Sequence, residues 1–126
     1  MSFVLEVKRD LDHLLVTARG RVHNLREWVE YVSAIVREAT RYGRECVLVD
    51  ERELSLSLDV KDIFLFAEEK AVDMRFGLDN KFVSVCSKCN EDTMDACELF
   101  LRNRNIDFKV FSNMEAARRW IRATQA

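Results

Sequence analysis

The stretch Cys46–Phe66, CVLVDERELSLSLDVKDIFLF, carries two different periodicities in one short run. It opens on the unbroken apolar residues Cys46, Val47, Leu48 and Val49, then stops in charge at Asp50, Glu51, Arg52 and Glu53. A short apolar run that ends in charge predicts a buried parallel strand. The following ELSLSL alternates only weakly and predicts a connection. Asp59 is a residue type that caps helices, and Val60, Ile63, Phe64, Ala67 and Ala71 follow it at three-and-four spacing, which predicts a helix with one apolar face. A strand, a connection and a helix form the repeating unit of an α/β fold built on a parallel sheet.

The same unit recurs downstream. KFVSVCS (81–87) predicts a strand, and Asn90 or Asp92 opens a helix through about Asn103. DFKVF (107–111) predicts the next strand, and Ser112 or Asn113 caps a last helix whose inner face is Ala116, Ala117, Trp120 and Ile121. Gly77 falls in the loop after the second helix. Upstream, FVLEVKRD (3–10) alternates Phe3, Leu5 and Val7 with polar residues, and HLLVTARGRV (13–22) forms a second strand. The short polar turn between them predicts an antiparallel hairpin. Asn24 caps a first helix, with Glu27 placed for a capping box. Its apolar stripe is Leu25, Trp28, Val29, Val32, Ile35, Val36 and Ala39, and Gly43 closes it. The order is ββαβαβαβα. It predicts an α/β fold: a five-stranded mixed sheet with an antiparallel N-terminal hairpin, parallel strands thereafter and four helices. Neighbours in sequence are expected to be neighbours in the sheet, with the first strand at its edge.

A chain of 126 residues with 48% apolar residues has the size and composition of a single domain, spanning 1–126, with a real core. It contains no proline and only three glycines, so no linker interrupts it. No apolar run approaches a membrane span. The opening MSFVLEVKRD lacks the pattern of a secretory leader, so a cytoplasmic location with reduced cysteines is expected. Twenty basic and 22 acidic residues give a net charge of −2, which does not favour nucleic acid. The local cluster Arg118, Arg119 and Arg122 fits a solvated helix face.

The chemistry-bearing residues are few. Cys86 and Cys89 form a CxxC spacing suited to a zinc knuckle or a redox dithiol. Cys46 begins one strand and Cys86 ends the next, so parallel pairing sets them at opposite ends of the sheet. Cys97 shares a helix face with Met94 and Leu101 and reads as core. No second pair completes a tetrahedral site, so no metal and no cofactor are expected. As a dithiol, Cys86 and Cys89 precede the helix start instead of opening it, and Glu91 and Asp92 set negative charge beside them. No Ser–His–Asp set, phosphate-cradling glycine loop or histidine pair occurs, so no enzymatic constellation is found.

In open α/β sheets ligands bind at the carboxyl ends of the strands. There the sequence sets Asp50 and Arg52 beside Ser87 and Lys88, with Ser57 and Asp59 at the start of the second helix. These six residues are the expected ligand- or partner-binding surface, fit for a protein partner or for a small anion held by helix N-terminal amides. The run Ile63, Phe64, Leu65, Phe66 is too apolar for one buried face. Phe64 and Phe66 are therefore candidates for a partner or lipid surface, including a homodimer or weak membrane association. A thiol redox protein using Cys86 and Cys89 is the remaining alternative.

The layout resembles the STAS-like family, the SpoIIAA-like fold shared by anti-sigma-factor antagonists and the cytoplasmic domains of sulphate transporters. Three matches carry this: the hairpin that leads directly into a long helix, the segment Cys46–Phe66, and FKVFSNMEAARRWI (108–121). Together they cover nearly the whole chain. The resemblance implies a non-catalytic regulatory or binding module. Anti-sigma-factor antagonists carry an aspartate, two hydroxyl residues and a glycine at the start of the second helix, where a kinase phosphorylates a hydroxyl. Here the matching run is Asp59-Val60-Lys61-Asp62, which keeps the aspartate and has neither hydroxyl nor glycine. This pattern fits the divergent single-domain branch of the family, small proteins mostly without an assigned role.

Overall fold

Strand β1 (Phe3–Arg9) pairs antiparallel with β2 (Leu14–Val22), from Phe3 opposite Gly20 to Arg9 opposite Leu14. The hairpin needs Gly20, which has φ 111° and lies so close to β1 that a Cβ would sit 2.8 Å from Phe3 Cα. Helix α1 (Leu25–Tyr42) starts where Asn24 Oδ1 accepts the Glu27 N–H at 2.9 Å. The Glu27 carboxylate reaches back to the His23 N–H at 2.6 Å, one residue beyond the usual capping-box partner. Gly43, at φ 63°, ends the helix in the left-handed conformation. Then follow β3 (Cys46–Leu56), α2 (Val60–Glu69), β4 (Lys81–Cys86), α3 (Glu91–Arg102), β5 (Phe108–Phe111) and α4 (Met114–Gln125). Asn113 caps α4, its Oδ1 accepting the Ala116 N–H at 3.0 Å. This computed structural model describes residues 2–43, 45–70 and 80–125. Ala71 and Gly77 lie outside the described residues.

The sheet order is β1-β2-β3-β4-β5, with only the first pair antiparallel. Strands in chain order joined by helices give the α/β architecture expected from the sequence. Helices α1, α2 and α3 cover one face of the sheet and α4 the other. The first face holds the larger core, in which Val47 and Val49 meet Trp28, Tyr31, Ile63, Phe66, Met94 and Leu101. The second holds a smaller one, in which Cys46, Leu48, Val83 and Val85 meet Ala117 and Ile121.

Strand β3 corrects two expectations. It does not end at the charges Asp50–Glu53, and ELSLSL is not a connection, because the strand runs on to Leu56. The reason is a bulge. Thr17 pairs with Asp50 but Arg19 pairs with Glu53, so Glu51 and Arg52 together face Ala18. Before the bulge, Val47, Val49 and Glu51 point to the larger core; after it, Leu54 takes that side. The phase jump makes one long strand look like a short one followed by a loop.

Helix α2 corrects a third expectation. Its buried residues are Ile63, Phe66 and Ala67, with Phe66 fully enclosed. Val60 is 54% exposed and Phe64 44% exposed, so neither belongs to the inner face. Phe66 meets Trp28 edge-to-face at 5.8 Å and is not part of a surface. Phe64 stands outside, edge-to-face with Phe100 at 5.5 Å, with the Arg104 guanidinium 5.7 Å from its ring centre.

Candidate functional site

The carboxyl rim of the sheet is assembled from β3, β4 and the helix starts beside them. β4 ends at Cys86 opposite Glu51, so its exit loop runs alongside the bulge. The loop makes one 3-10 turn, Lys88–Asn90, before α3. Asn90 is buried and stands at the N-cap position of α3, but its side chain makes no capping bond there; its amide instead donates to the Leu54 carbonyl at 2.7 Å. Thr93 reaches the Leu58 carbonyl at 3.4 Å, and the Ser57 N–H bonds the Val22 carbonyl at 2.9 Å. These bonds join the end of β3 to β2 on one side and to α3 on the other. Ser87 is half-buried, whereas Lys88, Ser57 and Asp59 are exposed.

At the start of α2, Asp59 and Asp62 form a reciprocal capping box. Asp59 Oδ1 accepts the Asp62 N–H at 2.9 Å, and Asp62 Oδ2 accepts the Asp59 N–H at 3.2 Å. Two carboxylates therefore occupy amides that a bound anion would need, and they set negative charge around the rest.

The six expected binding residues do not form one surface. Asp50 and Arg52 alternate with Glu51, so they share the α4 face with Leu48. The span Asp50–Leu56 is roughly 20 Å at about 3.3 Å per residue, which separates Asp50 from Ser57 and Asp59. Asp50 and Arg52 form a two-point ion pair, with Nε at 2.9 Å from Oδ1 and Nη2 at 2.8 Å from Oδ2. This guanidinium holds the Asp50 carboxyl below the usual carboxylate range, and Arg118 from α4 adds to the effect. Ser57 and Asp59 lie where β3 leads into α2, and Ser87 and Lys88 lie in the exit loop of β4.

The cysteines are separated. Cys46 pairs with Lys81 and Glu51 with Cys86, an offset of roughly 17 Å at about 3.3 Å per residue. Burial pushes the Cys46 and Cys86 thiols up to about 11 and raises the Cys97 thiol as well. Cys89 alone is exposed. The CxxC thus pairs a buried thiol, in which burial disfavours the thiolate, with a surface one. Among the described residues no three His, Cys, Asp or Glu side chains converge as a metal site.

A different polar cluster lies inside the protein. Glu51 is 3% exposed. Its carboxyl accepts from the Tyr31 hydroxyl on α1 and from the Ser84 hydroxyl on β4. Burial raises its proton affinity, an effect the two hydroxyl donors only partly offset. The cluster borders a cavity of about 20 Å³ between α1 and α3, also lined by Trp28, Met94 and Phe108. The Trp28 indole Nε1 is buried in this region, with no hydrogen-bond partner among the described residues. Sequence reasoning missed this cluster because Glu51 sits in a run of charges that resembles a solvated strand end. The available signal was the two-residue period: Val47, Val49 and Glu51 fall on one face, and Ser84 is the lone polar residue within β4's apolar run.

Neither a protein-family model nor a curated protein matches this chain. Solved structures do. An anti-sigma factor antagonist from Mycobacterium paratuberculosis superposes with a TM-score of 0.59 at 13% identity, covering 96% of this chain and 95% of its own. An uncharacterised protein of the DUF3478 family with a SpoIIAA-like fold, from Shewanella loihica PV-4, gives 0.55 at 17% identity, covering 95% and 94%. The fold is SpoIIAA-like. Within this SpoIIAA-like fold, the rim where β3 enters α2 carries the Asp59–Asp62 capping box, and the buried Glu51 cluster lies under α1. No described helix is long and apolar enough to cross a membrane.

Proposed function

We propose that this chain is a non-catalytic, cytoplasmic regulatory module that recognises a protein partner at the corner formed by Ser57, Asp59 and the outer face of α2, with Ser87 and Lys88 across the rim. The observation that carries this is the apolar pair Val60 and Phe64, 54% and 44% exposed one helical turn apart next to the capped start of α2. Exposed acids on the same corner, Asp59 and Asp92, suit a partner whose apolar anchor is flanked by basic groups. The likeness to an anti-sigma factor antagonist supports a protein partner. The capping box argues against a small anion, because two of the amides at this helix start, those of Asp59 and Asp62, are already bonded to carboxylates whose negative charge surrounds the others.

Affinity capture from a lysate of the source organism tests this. A protein retained by the parent and by Arg52→Glu, but lost by the double variant Val60→Glu with Phe64→Glu, is the expected result. Equal retention by all three, or loss with Arg52→Glu alone, contradicts it. Co-sedimentation of the parent with liposomes that Phe64→Glu abolishes would assign the surface to lipid instead.

A further inference from the structure

We propose that Glu51 is a proton-binding site that couples the docking of α1 on the sheet to pH. The carboxyl lies in the larger core, and both its partners are neutral hydroxyls, one from α1 and one from β4. Among the described residues it forms no ion pair with any lysine, arginine or histidine. A buried carboxylate without a cation is costly, and such groups ordinarily take up a proton instead.

Apart from the two hydroxyl donors, which favour the carboxylate, the surroundings favour the neutral acid. Tyr31 faces it from α1, Cys86 from β4 and Cys97 from α3, and burial raises the proton affinity of all three, so they stay neutral and none supplies the positive charge that a carboxylate there would need. Asp50, its neighbour on β3, is anionic, points to the opposite face and is neutralised there by Arg52. Ala18 from β2, Phe66 from α2 and Phe108 from β5 complete this core with apolar groups.

The hydrogen bonds accommodate both states. With the carboxylate, Tyr31 and Ser84 both donate. With the acid, Tyr31 still donates to one oxygen, while the other carries the proton and donates to Ser84 Oγ, since a serine hydroxyl both gives and accepts. The cavity of about 20 Å³ beside the carboxyl has room for one water molecule, as hydrating the ionised form requires. Its lining from α1 is Trp28, Tyr31, Val32 and Ile35, so water entering there acts on the seat of that helix. Release of the proton to solvent therefore weakens α1 docking, and its uptake restores it.

Carbon-13 NMR of glutamate-labelled protein tests this, with the Glu51 carboxyl signal assigned by its loss in Glu51→Gln. The expected midpoint lies above the ordinary glutamate value of about 4.3. In Tyr31→Phe, which removes a donor to the carboxylate, it moves higher still. Amide exchange of α1, corrected for the intrinsic pH effect, is expected to lose protection as pH rises through that midpoint in the parent and not in Glu51→Gln. A midpoint at or below the ordinary value, or one that Tyr31→Phe leaves in place, overturns the proton site. Equal pH dependence of α1 protection in parent and Glu51→Gln overturns the coupling. If Glu51→Gln does not fold, the parent and Tyr31→Phe titrations decide the first point. The pH dependence of α1 protection in Tyr31→Phe then decides the second, since it must follow the moved midpoint.

Discussion

Asp50 and Glu51 are adjacent carboxylates on one strand, yet their environments are opposite. Asp50 points to the α4 face, meets a guanidinium at two points and has its proton affinity lowered. Glu51 points to the α1–α3 face, meets two hydroxyls in an apolar core and has its proton affinity raised by burial. The two-residue period of a strand decides which acid is on the surface and which is structural. Phe64 and Phe66 repeat the contrast on α2, where the 3.6-residue period leaves one ring outside and encloses the other.

The contrast breaks most visibly at the aromatic pair. Phe66→Ala should cost about 3–5 kcal/mol in urea unfolding, whereas Phe64→Ala should cost less than about 1 kcal/mol. Similar losses from the two would show that α2 is rotated from the position described. Next comes Glu51→Ala, which leaves a void and two buried hydroxyls without their acceptor. It should cost about 3 kcal/mol near pH 5. Tyr31→Phe removes one hydroxyl from the same cluster and should cost about 1–2 kcal/mol by the same measurement. The smallest effect belongs to Asp50→Ala. It breaks a half-exposed ion pair, should cost under about 1 kcal/mol, and should shrink further in 1 M salt. If Asp50→Ala costs more than Glu51→Ala, the assignment of inner and outer acid is reversed.

Most of the architecture was legible because local signals agreed with the global pattern. Asn24, Gly43 and Asp59 punctuate the helices where their chemistry requires, and the apolar runs of β3 and β4 read as buried parallel strands. What escaped were places where two periods overlap or one is interrupted. The bulge at Glu51 and Arg52 shifts the alternation of β3 by one residue, so Leu54 and Leu56 seemed to belong to a loop. In α2 the sets Val60–Phe64–Ala67 and Ile63–Phe66–Ala67 both satisfy helical spacing, and only packing against Trp28 and α3 selects the second. The grouping of the candidate surface residues was not legible: Ser57 and Asp59 sit where β3 leads into α2, Ser87 and Lys88 in the exit loop of β4, and Asp50 and Arg52 on the other face, because they alternate with Glu51. The buried cluster depends on contacts from α1 and β4 that are distant in sequence from Glu51, so no local pattern announces it.

The two acids also carry opposite pH signatures. Asp50, with its folded-state value depressed, contributes stability that is present above the ordinary aspartate value and is lost as pH falls through the lower folded value. Glu51, with its folded-state value raised, contributes stability that is complete below the ordinary glutamate value and declines as pH rises toward the folded value. The most direct measurement is the unfolding free energy of the parent and of Glu51→Gln from pH 4 to pH 8 at fixed salt. The parent should lose stability relative to Glu51→Gln as pH rises above the ordinary glutamate value of about 4.3, with the gap widening until Glu51 is ionised in the folded protein. Two curves that stay parallel across that range, or a parent that gains on the variant as pH rises, would contradict the account.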